Sequence, residues 1–375
     1  MSDAPGNRDD AVRCHRRAIE LLGALPVEDN DAYLADLGAA WVNLGCALQA
    51  GDGRAGLAEA VGAFDRAIGL LERLPAGSFR FAHNLAAAWM GRADSLAGDA
   101  TETGRAGALR AYDRAIEMAR GLPLDEKASF RILLASCLIN RGNLRQRMGA
   151  PEDLREAVLS HDGALAALGT LPQTGHRLAC HHAATAWTNR GEALLRAAPR
   201  GNAGLAVDSA RRALAQIEGR DLAGPAAAEL RLRALCVMAR GLESLLKAGG
   251  PAPGADSVAA LTDAAERGIA IAIGCRDGAA GRLDPYMVWF FAFGSRIYGR
   301  YQPQFLSEFL EEVLRRWDSR GGPAVEAELR AVARKAVAGS LEGLSCNRLM
   351  IGGTRQTELL LRTVHELRAA APNFQ

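Results

Sequence analysis

The feature that most constrains this chain is a helix ending that returns at a near-constant interval. Segments running from Ala18 to Pro26, Ala67 to Pro75, Ala115 to Pro123 and Ala164 to Pro172 each open Ala-Ile or Ala-Leu and close Leu-Pro, and their prolines stand 49, 48 and 49 residues apart. A fifth copy from Ala213 to Asp221 keeps the step without the proline. Self-similarity at a fixed period of this size belongs to stacked repeats, whose units bury their apolar faces only against neighbours. Within a unit, Phe64, Ala67, Ile68, Leu71 and Leu74 recur at helical spacing, and Tyr112, Ala115, Ile116, Ala119 and Leu122 reproduce them one unit later. These are second helices of helical hairpins, each stopped by a proline that cannot continue the helix.

First helices carry their own marker about half a unit earlier: Trp41-Val-Asn-Leu-Gly45, Trp89-Met-Gly-Arg-Ala93, Leu138-Ile-Asn-Arg-Gly142, Trp187-Thr-Asn-Arg-Gly191 and Val237-Met-Ala-Arg-Gly241. Together with Ala60, Phe64 and Ala67-Ile68, this order of Trp, Leu-Gly, then Ala, aromatic and Ala resembles the tetratricopeptide repeat, over roughly residues 9 to 275. The period departs from the family's shorter unit, so the helices are longer, and the final hundred residues lose the motif. The resemblance implies an all-α, right-handed α-solenoid of about 15 helices that holds a partner protein or peptide and has no catalytic role.

The pattern places helices at 9–25, 31–50, 55–74, 78–98, 103–122, 126–148, 152–171, 174–197, 202–219, 225–248, 255–275, 283–300, 303–319, 323–345 and 354–371. Residues 1–275 form the repeat array and 276–375 a divergent helical cap continuous with it. The Gly/Pro stretch 249–254 reads as a loop within a hairpin, Arg200-Gly-Asn as a turn, and Ile351-Gly-Gly-Thr-Arg355 as a turn and not a phosphate loop, since it has no Lys and follows no strand.

An Arg recurs after the marker (Arg92, Arg141, Arg190, Arg240), and an Asp recurs in the second helices (Asp65, Asp113, Asp162). Pairing each Asp with the Arg of the following unit gives Asp65–Arg92, Asp113–Arg141 and Asp162–Arg190. The first unit lacks both members together, with Leu44 in the Arg place and Arg16 in the Asp place. This predicts an ion-pair ladder that fixes stacking register. The competing reading is a stripe of Arg that grips phosphates.

By family geometry the groove is lined by first helices. Its polar residues are Asn43, Asp94, Asn140, Asn143, Asn189 and Glu192, accompanied by Cys46, Met90, Ile139 and Thr188. Asn43, Asn140 and Asn189 hold equivalent places, and an amide can both donate to and accept from an extended peptide. Basic residues, which accompany such Asn in carboxylate-gripping relatives, are few at these positions. Half of the twenty aromatic residues fall between Tyr286 and Trp317. Among them Trp289, Phe290, Tyr298, Tyr301 and Phe305 are candidates either for a terminal core or for an exposed anchor that binds a partner or a second copy of the chain, giving a homodimer.

Other function classes find less support. Balanced charge, 45 basic against 43 acidic residues, disfavours nucleic acid and anionic membranes. No run approaches a membrane span, and the polar N-terminus lacks a signal peptide. Seven scattered cysteines without a C-x-x-C pair fit a reducing, cytoplasmic setting in a bacterial type of sequence. His176, Cys180, His181 and His182 form the one metal-like cluster, and no further ligand stands near, so neither a metal nor a cofactor is expected. An assembly subunit that holds an enzyme by its outer face is the alternative to a groove-binding adaptor.

Overall fold

The computed structural model describes residues 5–27, 30–50, 54–75, 78–169, 176–218, 222–247, 255–275, 281–318, 323–347, 362–363 and 365–369. All regular structure among them is helical. The chain divides into two compact units, Met1–Ala193 and Leu194–Gln375. That division falls within one helix, and not near residue 275 where the sequence motif fades.

The first unit contains α1 (Pro5–Gly23), α2 (Asp31–Gln49), α3 (Arg54–Leu71), α4 (Phe79–Ala97), α5 (Glu102–Arg120), α6 (Ala128–Met148), α7 (Pro151–Leu168) and α8 (Arg177–Ala197), whose last turn enters the second unit. Successive helices pack as hairpins, and the first helices also meet across repeats, α2 with α4 and α4 with α6. Local chemistry sets the ends. Asn30 accepts from the Ala32 and Tyr33 amides at the start of α2, and Thr101 Oγ1 accepts from the Gly104 amide at the start of α5. Gly149, at φ +79°, closes α6 in a left-handed conformation that a Cβ would oppose. Leu74 and Leu122, each just before a repeat proline, are buried and tie the end of their helix to the core.

The core of each hairpin is an aromatic ring set against a residue with little or no side chain. Phe64 is fully buried between α2 and α4: a Cβ on Gly45 would lie 2.6 Å from its Cζ, and one on Gly91 closer still. Tyr112 packs with Ala93 in the next unit, and His161 fills the same place against Gly142 in the third.

The second unit continues with α9 (Ala203–Glu218), α10 (Pro225–Lys247), α11 (Ala255–Gly274), α12 (Asp284–Tyr301), a single 3-10 turn Pro303–Phe305, α13 (Leu306–Asp318) and α14 (Pro323–Asn347). Consecutive helices pack from α9 to α12, after which α14 lies against both α12 and α13. The expected helix 303–319 is instead a 3-10 turn, Pro303–Phe305, followed by α13. The Arg200-Gly-Asn segment is a turn. Stretches 249–254 and 351–355 lie outside the described residues, as does most of 354–371, of which 362–363 and 365–369 are helical. Among the described residues no helix is long and apolar enough to cross a membrane.

Since the Phe64 ring is held from two sides, Gly45→Ala is expected to lower stability by about 1–3 kcal/mol. Gly62→Ala, on an exposed face of α3 with nothing within 4 Å of the new Cβ, should raise it by about 0.5–1 kcal/mol. Urea denaturation of the two variants checks both signs.

Candidate functional sites: two inter-repeat ladders and an acidic cleft

The recurring Arg and Asp residues meet across repeats. Arg92 Nε donates to Asp65 Oδ1 at 2.6 Å, Arg141 Nε to Asp113 Oδ1 at 2.8 Å, and Arg190 Nε to Asp162 Oδ1 at 2.6 Å. The carboxylates are the exposed members, whereas Arg141 and Arg190 side chains are each only 17% exposed. Arg92 and Arg190 lie over the marker rings Trp89 and Trp187 at 5.7 and 5.6 Å. Where Leu138 replaces the Trp, Arg141 instead donates to Ser160 Oγ at 2.7 Å and reaches Glu156 at 3.3 Å. In the first unit, with Leu44 in the Arg place, Arg66 covers Trp41 at 5.0 Å and Arg16 pairs with Glu59. Arg240, in the second unit, is exposed.

A second ladder runs along the first helices and was not anticipated from the sequence. Asn140 Nδ2 donates to Asp94 Oδ1 at 3.0 Å and Asn189 Nδ2 to Asn143 Oδ1 at 2.7 Å. In both, the Asn two places after the marker donates to the residue five places after the marker in the preceding first helix. Gln49 Nε2 donates to the Gly91 carbonyl at 2.6 Å and to Ser95 Oγ at 2.7 Å, and its equivalent Gln146 donates to the Asn189 carbonyl at 2.5 Å. The equivalent spacing of Gln49 and Gln146 was the available sequence signal.

These bonds correct the expectation of three equivalent groove amides. Asn189 is 2% exposed, Asn140 is half-buried, and only Asn43 stands exposed. The difference is positional: Asn43 lies in α2, and among the described residues no earlier first helix stands before it to accept from its amide. Asn143 and Glu192 are half-buried, and Ile139 and Thr188 are buried.

Asp94 is the hub of the inner face, since Tyr112 Oη donates to the same Oδ1 that Asn140 reaches. Burial pushes its carboxyl above the ordinary range, against the opposing hydrogen bonds and the charge of Arg147. Burial and Asp94 together raise the Cys137 thiol to about 12, and they also raise the Tyr112 phenol. His181 and His182 are lowered by burial. Among the described residues no three His, Cys, Asp or Glu side chains gather to hold a metal.

The aromatic segment divides between core and surface. Phe290 is fully buried against Gly268, and Tyr298 is 8% exposed and donates to Glu266, so neither is a free anchor. Trp289, half-buried, stacks on Phe293 at 5.2 Å. Tyr301 is half-buried and Phe305 is 48% exposed. Phe305 lines an open cleft of 990 Å³ with Gln302 on the α12 side, Val313 on α13 and Ile269 on α11. The same cleft carries the carboxylates of Glu266, Glu308, Glu311, Glu312 and Glu366 against the two cations Arg315 and Arg316.

A double-mutant cycle on Asp162→Ala and Arg190→Ala is expected to give a coupling of about 0.5–1 kcal/mol, with the Arg190 single change costing more because it also uncovers Trp187. Additive losses would deny the pair any part in stacking. Asp94 gives a pH test. Its raised folded-state value means the folded chain holds the proton more tightly than the unfolded one, so its contribution is complete below the ordinary carboxylate range and is lost as pH rises through the raised value. Asp94→Asn keeps an Oδ1 for both donors, and should raise the melting temperature near neutral pH by an amount that shrinks toward about pH 4.

No protein-family model matches the chain, and no curated protein matches it. Among solved structures it is similar to a circular tandem repeat protein with novel repeat topology and enhanced subunit contact surfaces, at 15% identity over 98% of this chain and 90% of that one, with a TM-score of 0.33. It is also similar to a protein from the computational design of self-assembling cyclic homo-oligomers, at 15% identity over 96% of each chain, with a TM-score of 0.13. Likenesses this low carry no inference; the all-helical repeat arrangement rests on the helices described above.

Proposed function

We propose that this chain is a non-catalytic scaffold of the tetratricopeptide-like kind its sequence resembles, and that it holds a partner protein by a basic, apolar-bearing segment seated in the cleft of the second unit. The observation that carries this reading is Phe305, a large apolar ring 48% exposed in a cleft where five carboxylates face two guanidinium groups. An exposed aromatic in a concavity is the usual form of an interface anchor, and excess negative charge selects a positively charged segment and speeds its approach. The non-catalytic reading is supported by ladders that use the regular polar residues for stacking, and by the Cys137 thiol and Tyr112 phenol, which burial raises. Scattered cysteines support work in a reducing, cytoplasmic setting.

The first-helix face of the first unit is a second candidate surface, favoured by Asn43 and Cys46 exposed at its start. It is the weaker one, because the amides of Asn140 and Asn189 are committed to neighbouring repeats.

Fluorescence anisotropy of the full chain with labelled peptides of alternating Arg and Leu, compared with alternating Glu and Leu, tests the cleft. The basic peptide should bind, more weakly with added salt, and Phe305→Ser or Glu308→Arg should weaken it by about tenfold without lowering the melting temperature. Equal binding of both peptides, or binding indifferent to both substitutions, would remove the cleft as the partner site.

A further inference from the structure

On another face of α12, opposite in charge to the acidic cleft, the second unit carries a pocket of 730 Å³ between α12 and α14. It is built on helical spacing: Ala292, Arg296, Gly299 and Pro303 follow one another a turn apart on the α12 side, and on α14 Val332, the neighbours Lys335 and Ala336, and Gly339 share one face. At Gly299 a Cβ would lie 2.5 Å from Ser340 Oγ, so α12 and α14 approach closely there, and the pocket lining combines small apolar groups with the Ser295 and Ser340 side chains. Gly339 leaves its share of the space open, with nothing within 4 Å of where a Cβ would stand.

The lining contains three cations and no carboxylate. Arg296 is partly neutralised, since Glu243 of α10 lies 3.2 Å away. Arg300 rests over the Tyr301 ring at 5.4 Å, and Lys335 is exposed. Among the described residues neither Arg300 nor Lys335 has a carboxylate partner. Of the other surface arginines of this unit, Arg267, Arg282 and Arg315 each pair with a glutamate, while Arg211 and Arg240 have no carboxylate partner among the described residues.

We propose that this pocket is a binding site for a small amphipathic anion, an organic acid whose apolar body lies on Val332, Ala336 and Pro303 and whose charged head meets Arg300 and Lys335. Three features support that class. The volume suits a small organic molecule. The apolar part of the lining, Val332, Ala336 and Pro303, gives a hydrocarbon or ring a place that inorganic anions would not use. Arg300 and Lys335 are both exposed and have no carboxylate partner among the described residues, so both are open to an incoming anion. The site is independent of the acidic cleft, and its failure would leave the partner proposal untouched.

The test is a fluorescence titration of the full chain with anilinonaphthalenesulfonate, an aromatic sulfonate, followed by displacement with decanoate, decanol and inorganic phosphate. The dye should bind saturably at one site, and decanoate should displace it at a concentration about tenfold lower than decanol or phosphate requires. Gly339→Leu fills the space from an exposed helix position and should abolish dye binding without lowering the melting temperature. Arg300→Glu with Lys335→Glu should weaken the dye by about tenfold or more. Absence of saturable binding would overturn the proposal, as would dye affinity unchanged in Gly339→Leu. Decanol acting as well as decanoate would show an apolar patch that ignores charge, and phosphate acting as well would show a cationic surface without an apolar subsite; either result also rejects the proposal.

Discussion

The regular part of this molecule depends on one steric fit, an aromatic ring occupying the space that a missing or minimal side chain leaves. Phe64 is gripped by Gly45 within its own hairpin and by Gly91 in the next, so one ring sets both the spacing inside a repeat and the approach of its successor. Interiors are packed closely enough that one added methyl at such a point has nowhere to go. The same device returns in the second unit, where Phe290 sits against Gly268 and Phe309 against Gly294. Phe290 and Phe309 are therefore core residues, whereas Phe305 of the same aromatic segment is 48% exposed.

On this packing are laid two polar ladders that act through different chemistry. The Arg–Asp pairs are half-exposed, so the charge attraction itself is modest, and much of what each Arg contributes comes from its stem and guanidinium lying on Trp89 or Trp187. The Asn and Gln bonds lie deeper, where an amide left without its partner is costly. Gln146 and Asn189 satisfy polar groups that the close approach of α6 and α8 removes from water. Register is held from outside by charge and from inside by amides.

This arrangement shifts the search for binding from the regular residues to the irregular ones. Within the first unit, Arg92, Arg141, Arg190, Asn140 and Asn189 each find a partner about one helix or one period away. Residues outside the repetition have no such partner: Asn43 because its unit is the first to carry the marker, Phe305 because a 3-10 turn carries it out of the helix, and Arg300 and Lys335 because no carboxylate among the described residues stands opposite them. The two clefts of the second unit differ in sign, acidic around Phe305 and cationic between α12 and α14, although both borrow residues from α12.

The sequence by itself determined the helical repeat, the hairpin unit and the places of most helices, because the 49-residue step, the apolar spacing and the Leu-Pro stops are local signals. It also made the Arg–Asp pairing readable, since Leu44 and Arg16 lose both partners together in the first unit. What only the tertiary structure decided was the use of each polar residue. Asn43, Asn140 and Asn189 are indistinguishable by position in the repeat, yet one is exposed and another is 2% exposed. That difference depends on whether a preceding first helix is there to accept a hydrogen bond. The aromatic segment was equally ambiguous: composition and spacing place Phe290 and Phe305 in one cluster, and their separation into core and surface followed from which side of α12 and its terminal turn meets a glycine.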